Sequence, residues 1–262
     1  MALFQKLIFL LVLTVPVAAK TLVYFGTYTG SGSKGIYRSI LDEKTGELSD
    51  LVLAAELENP SFLVVSPDQK YLFAVSENGK FKGKEGGGVS SFAIGKDGGL
   101  TLISQVNSGG GAPCHISTDS QGKCLLVANY MGGSISSYQI AADGKLVAPA
   151  AGGFIQHEGQ GAQLPRQASP HAHSVNVGPT GKRAYVADLG LDKVLIYKLD
   201  AAGGMIAPNA PPFLKLPDAT GPRHFSFHPS GKWAYTNLEM SLQVAALSHD
   251  AKTGALAVLE LS

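Results

Sequence analysis

The sequence predicts an all-β fold, a β-propeller of four-stranded antiparallel blades. Three observations predict it. A unit recurs about every fifty-five residues, each unit alternates apolar strands with tight turns, and long helical periodicity is absent. Composition agrees, because 32 glycines and only 16% charged residues suit short strands joined by turns.

The repeat is carried by Pro60, Pro113, Pro170 and Pro222, spaced 53, 57 and 52 residues apart. The turn lysines Lys70, Lys123, Lys182 and Lys232 follow at spacings of 53, 59 and 50. Each segment reads as a strand, a Gly/Pro/Asp-rich turn and a second apolar strand. A third strand follows at 88–94, 133–140, 193–199 and 242–248, and a fourth after a glycine turn, as at 100–106 and 255–261. Four such strands per unit make one blade. A β-sandwich would not require this repeat.

In chain order, residues 1–19 read as a signal peptide. Lys6 supplies the positive region, Leu7 to Val15 the apolar core and Val17-Ala18-Ala19 the small-residue cleavage pattern. Export to the periplasm or medium is expected, with an uncleaved anchor as the alternative. The apolar run is too short to span a bilayer, so no membrane association is expected after cleavage.

Residues 20–262 form the propeller, with three strands over 21–58 and no innermost strand for that first blade. The chain ends after a fourth strand with no closing strand. About five blades are therefore expected, an incomplete ring with exposed edges.

Net charge is +1 with mixed signs along the chain, so nucleic acid is not an expected partner. A hairpin turning at Asp119-Ser120-Gln121-Gly122 pairs Thr118 with Lys123 and puts Cys124 opposite Ser117. That leaves Cys114 about 10 Å away along the strand, beyond the reach of a disulfide. Two free, buried thiols are expected.

Polar residues stand out at one repeated position. Aligned on the turn lysines, Ser61, Cys114, His173 and Arg223 share a slot at the head of each inner strand. The slot should recur around the mouth of the central channel, so His173 and Arg223 should converge there. Strand alternation puts His171, His173, Val175 and Val177 on one face. Glu239 ends a second strand at the slot also held by Glu77, with Asp188 and Asn129 one position earlier in their blades. Arginine offers a planar fork for carboxylate or phosphate, and glutamate can act as a general base.

His171 and His173 lack a third ligand at suitable spacing, so no metal is expected. His115, His224 and His228 read first as hydrogen-bonding residues of the blades, and His249 as a surface residue. The runs 86–88 and 109–111 are turns rather than phosphate loops, since no helix follows them.

Several stretches carry a resemblance. They are VYFGTYTG (23–30), KGIYRSILDEKTGEL (34–48), NYMGGSISSY (129–138), QHEGQG (156–161), RQASPHAHSV (166–175) and GPRHFSFHPSGKWAY (221–235). Over nearly the whole mature chain they resemble the bacterial lactonase family of seven-bladed propellers. That family includes 6-phosphogluconolactonases and carboxy-muconate cyclase-like enzymes. The resemblance implies a cleft at one channel mouth and a C-terminally truncated ring. It places the catalytic residues at His171 or His173, Arg223 and Glu239. The family pattern Asn-Glu is replaced here by Leu238-Glu239.

Hydrolysis of a sugar-acid lactone is the expected function, with no cofactor. Glu239, or else His173, would take a proton from water. Arg223 and His171 would hold the oxyanion or an anionic group on the substrate. Arg166, on the loop before His171, is placed over the mouth, and His115 and Asn129 join it as substrate-binding candidates. A lactonising cycloisomerase and a non-catalytic binding propeller remain open alternatives. The expected partner is a small lactone with an anionic group, and a complete ring is expected to be a monomer.

Overall fold

The computed structural model describes residues 21–149 and 151–262, and the leader expected over 1–19 lies outside them. Its first sheet has three strands, β1 (Thr21–Phe25), β2 (Gly35–Leu41) and β3 (Val52–Glu56), in sequential order. The second blade holds β4 (Leu63–Val65) and β5 (Tyr71–Ser76). A two-stranded hairpin follows, β6 (Lys80–Phe81) with β7 (Lys84–Glu85). Then β8 (Gly88–Ile94) and β9 (Leu100–Asn107) complete the blade in the order β4-β5-β8-β9.

The third blade contains β10 (Pro113–Thr118), β11 (Cys124–Asn129) and β12 (Ser134–Ile140). Its outer edge is shared by β13 (Leu146–Val147) and β14 (Phe154–Gln156), which both pair with β12. The fourth blade runs β15 (Ala172–Val177), β16 (Arg183–Asp188), β17 (Lys193–Asp200) and β18 (Met205–Lys215). The fifth runs β19 (Pro222–Phe227), β20 (Trp233–Leu238), β21 (Gln243–His249) and β22 (Leu256–Leu261). All pairings are antiparallel, which makes each blade a meander of neighbouring strands. No helix among the described residues is long and apolar enough to cross a membrane.

Alternation along the strands explains where the core lies. In β11, Leu125 and Val127 pack against Phe73 and Val75 of the preceding blade. The intervening Cys124, Leu126 and Ala128 pack against Val175, Ala184 and Val186 of the next. Successive side chains of a strand point to opposite faces, so the second, third and fourth sheets are apolar on both sides and each serves two inter-blade layers. Further layers join the first blade to the second and the fourth to the fifth. Burying one such leucine or valine is worth about 1.5–3 kcal/mol.

The Asp119–Gly122 turn forms, but its register differs from the expected one. Thr118 pairs with Leu125 and Ser117 with Leu126, while Asp119 N donates to Cys124 O. The Asp119 carboxylate holds this wider loop together. It accepts from the amides of Gln121, Lys123 and Cys124, an aspartate-capped turn that strand counting cannot see. Both thiols are free and buried. His249 corrects another expectation. It is half-buried between blades, sharing a hydrogen bond with Tyr185 Oη through Nε2 and donating from Nδ1 to Gly231 O.

Candidate active site at the channel mouth

Each inner strand carries one extra residue near its start. Register shifts fall between Pro113 and His115, between Ala172 and Ser174, and between Pro222 and Phe225. In the second blade, the bonds Glu77 N to Asn59 O and Val75 N to Phe62 O carry the same offset around Ser61. A bulge of this kind turns a side chain away from the ladder. Ser61, Cys114, His173 and Arg223 are thereby gathered on one cleft of about 360 Å³.

The bulge also corrects the alternation expected for His171, His173, Val175 and Val177. Val175 joins Ala172 in the inter-blade layer, whereas His173 faces the cleft. In the fifth blade it brings the adjacent Arg223 and His224 to the same wall. His224 is thus a cleft residue and not solely a blade residue.

A second ring of side chains comes from the ends of the second strands. Glu77, Tyr130 and Glu239 each follow such a strand, and their amides donate to Asn59, Ala112 and Gly221 carbonyls respectively. All three line the cleft, as does Tyr28 beyond β1.

Arg166 and Arg223 meet on Glu239. Arg166 Nη2 lies 2.9 Å from Oε1, and Arg223 Nε lies 3.2 Å from Oε2. Arg223 Nε also donates to His173 Nε2 at 2.9 Å, so the two residues expected to converge do so. Arg166 additionally bonds Tyr130 Oη and lies over its ring, 5.5 Å from the centroid.

Because an arginine always donates, His173 Nε2 must be the acceptor, and the imidazole is neutral. Burial, then the Arg223 charge, pulls the pKa of His173 down to about 4. Burial and Arg223 also lower the pKa of His224. The Cys114 thiol donates to the His173 carbonyl at 3.3 Å, and burial raises its pKa well above the usual thiol range. It is therefore a protonated wall of the cleft and not a nucleophile.

Three sequence candidates lie elsewhere. His171 does not line the cleft. It stacks on Tyr130 at 4.6 Å and donates from Nδ1 to Tyr130 O, while its own amide is held by Asp188. His115 lies buried against Phe62 and accepts from Val175 N, and burial pulls its pKa down to about 3. Asn129 is wholly buried and donates to Ser108 O and Ser134 Oγ, closing the end of its blade. The expectation that His115 and Asn129 touch substrate does not fit these positions, because the bulge presents Cys114 instead of His115 and the strand end presents Tyr130 instead of Asn129.

Tyr28, Glu77 and Tyr130 line the cleft without being among the site residues expected from sequence. The slot shared by Glu77 and Glu239 was the available signal, since Tyr130 occupies it too. Two buried carboxylates support the walls from behind. Asp188 pairs with His157 at 2.6 Å, both side chains fully buried. Asp192 accepts from Gln167 Nε2 and from the amides of Ala219, Thr220 and Gly221, tying the Arg166 loop to the segment before Arg223. Gly190 lets these segments pack, because a Cβ there would fall 2.0 Å from Ser169 O.

A larger hollow of about 450 Å³ borders β12, Ala148, Pro149 and residues 151–154, but among the described residues it has no acidic, basic or imidazole lining. Charge, imidazole and phenol converge only on the smaller cleft among the cavities described.

Comparison with known proteins agrees with this architecture. A 6-phosphogluconolactonase of Bacillus subtilis is 34% identical over 242 residues, covering 90% of this chain and 64% of that protein. A 6-phosphogluconolactonase of Formosa agariphila is 33% identical over 228 residues, covering 86% of this chain and 63% of that protein. The chain thus spans somewhat less than two thirds of the length of these relatives. The solved periplasmic gluconolactonase of Pseudomonas aeruginosa superimposes with a TM-score of 0.82 at 35% identity, over 92% of this chain and 67% of that one. The description "Lactonase, 7-bladed beta-propeller" matches residues 22–261, and the chain belongs to that family.

Proposed function

We propose that the cleft hydrolyses a sugar-acid lactone bearing an anionic group, in the manner of a 6-phosphogluconolactonase. The observation that carries this is the pair of guanidinium groups, Arg166 and Arg223, held side by side by Glu239 at the cleft wall. Planar guanidinium forks suit phosphate and carboxylate oxygens. They also suit the oxyanion that forms when water adds to a lactone carbonyl. The similarity to proteins named 6-phosphogluconolactonase and gluconolactonase supports the same chemistry.

One wall therefore binds the substrate's anionic group and stabilises charge at the carbonyl. His173 orients Arg223 through Nε2 and is spent as an acceptor, so it is not the base. Tyr130 keeps Arg166 over the mouth. An exported location is part of the proposal, supported by the leader pattern at 1–19 and by the periplasmic relative.

Rates of hydrolysis of glucono-δ-lactone and its 6-phosphate, corrected for the spontaneous reaction, test the proposal. Turnover with a preference for the phosphorylated lactone is expected. Isomerisation of a carboxylated muconate without water uptake would favour the cycloisomerase alternative, and no turnover of either class would leave a binding propeller.

A further inference from the structure

We infer that Glu77, and not Glu239, is the general base, taking a proton from the attacking water and passing it to the departing ring oxygen. The inference rests on the lactonase reading above.

Two carboxylates line the cleft, and their surroundings differ. Both oxygens of Glu239 lie in ion pairs with guanidinium groups. Protonating it would cancel two charge-assisted contacts, so Glu239 is disfavoured as a proton acceptor. Glu77 has no cation within ion-pairing distance among the described residues. Its Oε2 accepts from Tyr28 Oη at 2.8 Å and from Ser61 Oγ, and its Oε1 accepts no hydrogen bond among the described residues. Two hydroxyl groups thus fix the carboxylate plane and leave one oxygen available to water.

Placement fits that role. Glu77 sits at a strand end anchored by its amide to Asn59 O, the same anchor that holds Glu239 to Gly221 O. The ionisable groups around it are the Tyr28 phenol and the Cys114 thiol. Burial raises the pKa of both, so neither competes as a base. The cleft's imidazoles compete poorly, since His173 Nε2 is occupied and His224 lies beside the Arg223 cation.

The step balances. Glu77 removes one proton from water as the water oxygen bonds to the lactone carbonyl carbon, and the carbonyl electron pair becomes an oxyanion facing the guanidinium wall. Collapse breaks the bond from carbonyl carbon to ring oxygen. That oxygen takes the proton from Glu77 and becomes the hydroxyl of the product, whose carboxyl group releases its proton to solvent. No other reactant is needed.

The test compares Glu77→Gln, Glu77→Asp, Glu239→Gln and His224→Gln in the full chain, with glucono-δ-lactone 6-phosphate as substrate and unfolding curves as a folding check. Glu77→Gln should lower kcat by about 100-fold or more with KM within about threefold, and should abolish the acid limb of kcat/KM. Glu77→Asp should keep the acid limb at an intermediate kcat, which a merely structural role would not produce. Glu239→Gln should chiefly raise KM, by about tenfold. Parental kcat in folded Glu77→Gln, or loss of the acid limb in Glu239→Gln or His224→Gln instead, would overturn the inference while leaving the lactonase reading intact. No turnover by the unaltered protein would overturn both.

Discussion

Arg223 donates from Nε to His173 Nε2 at 2.9 Å, and this single contact decides the protonation state of the cleft's most buried imidazole. A permanent donor requires a lone pair opposite it, so the His173 proton can only reside on Nδ1. The Arg223 charge, together with burial, disfavours a second proton.

His173 and His115 should therefore remain neutral well below the usual histidine range, titrating near 4 and 3 respectively. The sign follows directly. Their folded pKa values lie below the unfolded value, so the unfolded chain binds protons first as pH falls. Stability from both is complete above about pH 6.5 and declines towards pH 4 and below. Thermal unfolding between pH 7 and 4 should show Tm falling across that range, and nitrogen-15 spectra should show the Nδ1–H form of His173 at neutral pH. A flat Tm profile would contradict this account.

Arg166→Ala should raise KM for the phosphorylated lactone by about tenfold and leave KM for the neutral lactone within about twofold. The Arg166 side chain is 41% exposed, so the effect should shrink with added salt. Steady-state kinetics at two ionic strengths read it directly. Equal losses for both lactones would remove Arg166 as the anion anchor.

Asp192→Asn should destabilise the fold by about 1–3 kcal/mol, because a buried carboxylate accepting four donors becomes an amide with an unwanted N–H. Denaturant unfolding measures this. KM should rise as well, since the Arg166 loop and the segment before Arg223 lose their common tether.

Cys114 and Cys124 should resist a thiol reagent in the native protein at pH 8 and react together after denaturation. Burial holds both as thiols, with Cys124 pushed up to about 12. Rapid labelling of Cys114 in the folded state would show that the floor of the cleft opens.

Repeat counting locates the cleft-lining residues better than strand periodicity does, and the bulges explain why. Aligning turn lysines placed Ser61, Cys114, His173 and Arg223 in one slot, and every inner strand carries the same extra residue, so the count survived. Alternation fails at that same residue, so His171 does not share a face with His173, and His224 turns from the blade to the cleft. The Arg166–Glu239 pair joins an irregular loop to a distant strand end and leaves no periodic trace. Asp188 with His157 was invisible for the same reason. Blade order and the inter-blade layers were legible because two-sided apolar strands announce themselves.

The extra residue at the head of each inner strand also separates two kinds of selection. The positions that follow it in the third and fourth blades, such as Ile116 and Val175, belong to the close-packed layers between blades. The bulged position is not part of those layers, and four blades already display a hydroxyl, a thiol, an imidazole and a guanidinium there, at Ser61, Cys114, His173 and Arg223. The blades thus act as a row of sockets, presenting four different chemistries to one cleft from the same backbone device.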